Sequence, residues 1–95
     1  MVRRFDYHNI EFKRDSSGSL LVKGEIVNNS GKNFHAVVFR IVIYMRSIPI
    51  GNSNVAIKGF YNGQTKVFEK QIEELHYDSV IAQRPTCQVF VESGY

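Results

Sequence analysis

Residues 34–45, FHAVVFRIVIYM, constrain the fold more than any other part of this 95-residue chain. The run is long enough for a helix, but Val, Ile, Phe and Tyr fill most of it. β-Branched side chains lose χ1 freedom against a preceding helical turn, so the run reads as a strand. Its odd-numbered face is His35, Val37, Phe39, Ile41, Ile43 and Met45; its even-numbered face is Phe34, Ala36, Val38, Arg40, Val42 and Tyr44. A half-exposed antiparallel strand alternates apolar with polar residues, whereas this one is apolar on both sides. The odd face is expected to fill a core. The even-face residues Phe34, Val38, Val42 and Tyr44 are expected on the outer side of the sheet, covered by the chain itself or by a partner.

The flanking sequence is also strand-like. FDYHNIEFKR (5–14) alternates imperfectly, with Ile10 and Phe12 on one face. DSSGS (15–19) is turn chemistry, and LLVKGEIV (20–27) places Leu20, Val22 and Ile26 on one face. Gly24 within that strand predicts a bulge or the close approach of another backbone. NNSGKN is a turn, and RSIPIGNSN (46–54) reads as a turn or an irregular edge because Pro49 excludes a central strand. VAIKGF (55–60) is a short strand, and Asn62-Gly63 predicts a hairpin-type turn. TKVFEKQIEEL (65–75) fits either period, and its surroundings favour a strand. Residues 76–85 read as a loop with one helical turn, and TCQVFVES (86–93) as a last strand with Cys87, Val89 and Val91 inward. Six or seven short strands with turn signals about every ten residues imply an all-β sandwich or barrel. No repeat or linker divides the chain, so residues 1–95 are expected to form one domain.

Composition narrows the function classes. Net charge is +3 with a pI near 9.2, but apart from Arg3-Arg4 and Lys13-Arg14 the basic residues are scattered. A nucleic-acid binder concentrates them on one surface. Cys87 is the only cysteine, which leaves no internal disulfide and no cysteine zinc site, and its apolar neighbours suggest a buried thiol. The N-terminal MVRRFDYHNIEF carries charge without an apolar run behind it, so no signal peptide is expected, and no segment is apolar enough for a membrane span.

Particular residues then tie the chain to a family. Gly24-Glu25-Ile26-Val27-Asn28, Ile41-Val42-Ile43-Tyr44-Met45 and Asn62-Gly63-Gln64-Thr65-Lys66-Val67-Phe68 follow a pattern of Gly-x-Val-x-Asn, a strand ending Phe-x-Leu-Tyr-Asp, and a late Pro-Gly-Glu-Thr turn leading to Phe. On these residues the chain resembles the FxLYD family of immunoglobulin-like domains over residues 20–92. Tyr44 is identical to the name motif, while Met45 stands where the motif has Asp and Asn62 where it has Pro. The resemblance implies an immunoglobulin-like antiparallel sandwich of six to seven strands, an extracytoplasmic setting and no assigned activity.

No residue pattern calls for catalysis or a cofactor. His8, His35 and His76 have no metal-ligand spacing. His76-Tyr77-Asp78-Ser79 holds triad residue types, but a triad is a matter of geometry rather than adjacency. Glu73 and Glu74, adjacent on a strand, point to opposite faces. Gly51, Gly59 and Gly63 are too far apart for a phosphate loop, and Asn28-Asn29-Ser30 matches a glycosylation sequon. The first functional expectation is therefore a non-catalytic interaction or structural module, forming a homodimer or binding another protein domain through the even face of 34–45. The alternative is a small OB-like barrel binding single-stranded nucleic acid through Phe5, Tyr7, Phe12, Lys13 and Arg14. A third reading has the strand near Pro49 accept a peptide by β-addition.

Overall fold

The structure, a computed structural model, describes residues 4–95; Arg3 of the first basic pair and the start of the N-terminal segment lie outside the described residues. The chain is an all-β sandwich of two antiparallel three-stranded sheets. Its strands are β1 (Phe5–Arg14), β2 (Ser19–Asn28), β3 (Phe34–Met45), β4 (Ile48–Phe60), β5 (Thr65–His76) and β6 (Thr86–Gly94). One sheet has the order β1-β2-β5, the other β4-β3-β6. A single helical turn, α1 (Tyr77–Val80), leads into a 3-10 turn at Ile81–Gln83 between β5 and β6.

Two local devices make the first hairpin. The Asp15 carboxylate accepts hydrogen bonds from the Ser17 and Ser19 amides (2.9 and 3.0 Å) and from the Ser17 hydroxyl (2.7 Å). The Ser17 bond is the main reason its carboxyl sits below the ordinary value. Beyond the turn, β1 carries a bulge between His8 and Glu11, where Asn9 takes a φ of 54°. The extra residue switches the inward parity from Phe5 and Tyr7 to Ile10 and Phe12. That switch is why the alternation of the sequence looks imperfect.

The core follows the periodicity. Leu20, Val22 and Ile26 of β2 and Val37, Phe39, Ile41 and Ile43 of β3 have no solvent exposure, and Phe68 and Ile72 of β5 complete the layer. β2 needs Gly24 for side chains, not for a neighbouring backbone: a Cβ there would collide with Ile10 Cδ1 and lie 2.9 Å from Phe68 Cε1. Those two side chains fill the inward position that Gly24 leaves empty.

Phe34 departs from expectation. It is buried in the core rather than placed on the outer face, while His35 is exposed. The regular alternation of β3 holds only from Val37 onward. Phe34 pairs with Phe60, and Phe60 follows Gly59 at φ 64°, a reversal that turns this end of the β3–β4 ribbon inward. Phe34 and Phe60 both pack on Phe5, at ring-centroid distances of 5.9 and 5.7 Å, and Phe5 meets Phe39 edge-on at 5.2 Å. Edge and tilted contacts of this kind add to the area that rings bury.

β4 bears out the irregular edge rather than the turn around Pro49: it is one strand of 13 residues that continues into the expected short strand, with a register shift beside Pro49. It lies at the edge of its sheet, where Pro49 breaks no ladder shared with two neighbours. The β3–β4 turn is only Arg46-Ser47, with φ of 53° and 66°. Two positive φ values mark the tight hairpin turn that favours Asn-Gly. Asn62-Gly63, by contrast, joins strands in different sheets, so it is not a hairpin.

What holds that crossing is the side chain of Asn28, fully buried at the end of β2. Its amide donates to the carbonyls of Lys32 (3.0 Å) and Phe60 (3.1 Å), and its carbonyl accepts from the Ser30 amide (3.0 Å) and hydroxyl (2.6 Å). Asn62 completes the knot: its side-chain carbonyl accepts from the Gly31 backbone amide, and its backbone amide donates to the Asn33 side-chain carbonyl, each at 2.9 Å. Both connections that pass between the sheets at this end are fixed by the same residues.

Two stability measurements follow. Asn28→Ala leaves buried carbonyls and the Ser30 hydroxyl short of partners and is expected to lower unfolding free energy by about 2–3 kcal/mol in denaturant titration, against under about 0.5 for the exposed Asn29→Ala. Arg46→Asn with Ser47→Gly relieves the left-handed turn and is expected to raise stability by about 1 kcal/mol; unchanged or reduced stability contradicts the strain.

Candidate functional site

The outer face of sheet β4-β3-β6 is built on the remaining predicted residues. Val38, Val42 and Tyr44 are half-buried there in one column, interrupted by Arg40. Each column residue is flanked across the sheet: Val38 by Ala56 and Ser93, Arg40 by Asn54 and Phe90, Val42 by Asn52 and Gln88. The Arg40 guanidinium donates to Asn52 Oδ1 (2.8 Å) and Glu92 Oε1 (2.7 Å), so a charge-assisted strap runs across all three strands. The Tyr44 hydroxyl donates to Gln88 Oε1 at 3.3 Å. The helical turn that could have covered this face lies instead against β1, β2 and β5, with Val80 in the core.

The two long sides of the sandwich are unlike. Along β4 and β5 the sheets meet closely, and a Cβ on Gly51 would lie 2.9 Å from Leu75 Cδ1. Along β1 and β6 a cleft of about 510 Å³ remains, lined by Tyr7 and Ile10 from β1 and by Cys87, Gln88, Val89 and Phe90 from β6. A second cleft of about 390 Å³ adjoins it at Cys87 and Gln88 and is bounded by Tyr44, Ser47 and Thr86. Burial pushes the Tyr7 hydroxyl up to about 12, with the Asp6 charge adding to it, and burial pushes the Cys87 thiol up to about 11. For Cys87 burial thereby disfavours the thiolate, the form in which a cysteine acts as a nucleophile.

The remaining chemistry-bearing residues do not converge. His8, His35 and His76 are exposed on β1, β3 and β5. Among the described residues no group of three or more His, Cys, Asp or Glu is placed to hold a metal ion. Asp78 of the His76–Ser79 cluster pairs with Arg14 at 3.7 Å. Glu73 and Glu74 are both exposed. Of the nucleic-acid candidates, Phe5 is core, Tyr7 and Phe12 are half-buried against it, and only Lys13 and Arg14 are exposed. The sequon asparagine is the buried Asn28, whose amide is fully engaged. No helix among the described residues is long and apolar enough to cross a membrane.

Sequence reasoning missed two residues of this surface. Arg40 carries no motif, and only its position in an apolar column could have marked it. Phe90 is 46% exposed; its even number, opposite in parity to Cys87, Val89 and Val91, already placed it outward.

No protein-family model matches the chain, and no curated protein matches it. Among solved structures it is similar in fold to DesR, a β-glucosidase from Streptomyces venezuelae in complex with D-glucose, with a TM-score of 0.58 and 13% identity. That match covers 98% of this chain and 14% of the glucosidase chain. At this identity it shows the fold alone.

The raised thiol gives a direct test. A folded-state value above the ordinary one means that the folded chain keeps its proton as the pH climbs past 9, so thiolate reactivity lags behind that of the unfolded chain and stability declines over that range. Near pH 8, Cys87 is expected to react with a thiol reagent at least about tenfold more slowly in the native chain than in denaturant. Equal rates would contradict the burial.

Proposed function

We propose that the chain is a non-catalytic interaction or structural accessory domain that meets another protein through sheet β4-β3-β6. The observation that carries this reading is the outer column Val38, Val42 and Tyr44, with no helix of the described residues folded across it and with the exposed Phe90 beside it. Surface apolar groups that lie together rather than scattered mark contact sites. The burial of Cys87, which disfavours its thiolate, is in keeping with the non-catalytic part.

The strand order supports an immunoglobulin-like assignment within the sandwich class. β1-β2-β5 and β4-β3-β6 correspond to the A-B-E and C′-C-F orders of that fold. The resemblance to FxLYD domains gains structural content, since Gly24 accommodates two core side chains and Asn28 ties two connections. An accessory role in an envelope-associated setting is the function consistent with that resemblance.

Backbone amide shifts recorded over a concentration series test the contact sheet. Changes are expected on β3 and β6 and not on β1, β2 or β5. Shifts that map to the opposite sheet, or none up to about 1 mM, contradict this reading.

A further inference from the structure

We infer that the free edge of β6 pairs with β6 of a second copy, antiparallel about a two-fold axis, to form one six-stranded sheet across a homodimer. The inference goes beyond the reading of the outer column as a contact face: it concerns the free edge of the same sheet and names both the partner and the joint.

The sandwich has four edge strands, β1 and β5 in one sheet and β4 and β6 in the other. An edge presents unpaired backbone donors and acceptors to any passing strand, and chains that stay single block it with bulges, proline or inward-pointing charge. Three of the four edges carry such a device within the body of the strand. β1 has the bulge at Asn9. β4 has Pro49 and a register shift beside it. On β5, Lys66 and Lys70 stand opposite Ile26 and Val22, so they share the inward face with Phe68 and Ile72. Lysines aimed inward at an edge leave no room for an added strand to bury apolar side chains.

β6 has its one register shift at Glu92, opposite Val38–Phe39, past the stretch that would pair. Its stretch Thr86–Val91 contains no proline, glycine or charged residue and consists of a β-favouring alternation. The one charge beyond it, Glu92, is bound by Arg40 at 2.7 Å. Two copies can therefore bring these edges together without opposing like charges, although the chain as a whole is +3.

The occupant follows from the shape of the cleft beside that edge. Tyr7 and Ile10 of the opposite sheet overhang it, leaving about 510 Å³ open along Cys87–Phe90. A strand added there must turn apolar side chains toward Tyr7 and Ile10 and can leave polar ones outside. β6 itself has that alternation, with Cys87, Val89 and Val91 inward and Gln88, Phe90 and Glu92 outward. It is complementary to itself, as a two-fold contact requires. An axis at Val89 sets Val89 beside its symmetry mate and Gln88 beside Phe90. Cys87 then faces Val91, so the joint forms without a disulfide.

Sedimentation of the full chain between about 10 µM and 1 mM tests the inference. A concentration-dependent dimer is expected. Val89→Lys places on β6 the inward lysine that β5 already carries, and it should weaken the dimer at least about tenfold. Phe90→Glu leaves the core untouched and should weaken it likewise, while Val67→Lys on the opposite sheet and Val42→Lys one strand in from the edge should change it less than about threefold. A chain that stays monomeric throughout overturns the inference. So does a dimer that survives Val89→Lys and Phe90→Glu. If Val42→Lys dissociates that surviving dimer, the contact sheet stands and the edge joint falls.

Discussion

The structure depends on the inward column of β3, where Val37, Phe39, Ile41 and Ile43 are all withdrawn from water. A strand has a side-chain period of two, so a slip of one residue would send this column outward and bring Val38, Arg40 and Val42 into the core. Burying an unpartnered arginine there would cost far more than the lost apolar contacts. Arg40 thus fixes the register negatively while the column fixes it positively. With β3 set, β4 and β6 pair on either side of it, and the facing layer of Leu20, Val22 and Ile26 completes the interior.

Much of this was legible in the residues. The odd face of β3, the inward set of β2 and the parity of Cys87, Val89 and Val91 all follow from alternation, and each stands where alternation puts it. Phe34 is the instructive failure. Its number assigns it to the outer face, but Gly59 reverses the partner strand one pair away, and Phe5, contributed from the other sheet, supplies the aromatic surface that draws Phe34 and Phe60 inward. A parity rule cannot anticipate a contact between residues 5 and 34. The same limit hid the bulge at Asn9, and it let Asn62-Gly63 pass for a hairpin turn. That turn closes on itself through the Gln64 amide and the Tyr61 carbonyl, but its outside partners are residues 28, 31 and 33 rather than a strand paired with its own neighbour.

Function was less legible because, among the described residues, the chemistry-bearing side chains do not come together in one place. Single residues with chemical potential, the histidines and the acidic pair, lie on separate strands or on opposite faces. What the tertiary structure adds is an asymmetry invisible along the chain. One seam of the sandwich is closed by Gly51 and Leu75, and the other stands open between Tyr7, Ile10 and β6. The bulge, the proline and the inward lysines then acquire a common sense as guards on the other edges. A peptide added to the strand near Pro49 would meet a proline, which lacks the donor that strand addition uses.

The central claim is that this sandwich is sealed around β3 and open along β6. Amide hydrogen exchange at low concentration, read residue by residue, tests it most directly. The account predicts slow exchange through Val37–Ile43 and an alternation of slow and fast amides along Cys87–Val91, as one side of β6 bonds to β3 and the other meets water. Uniformly slow exchange along β6 in the dilute monomer would contradict it.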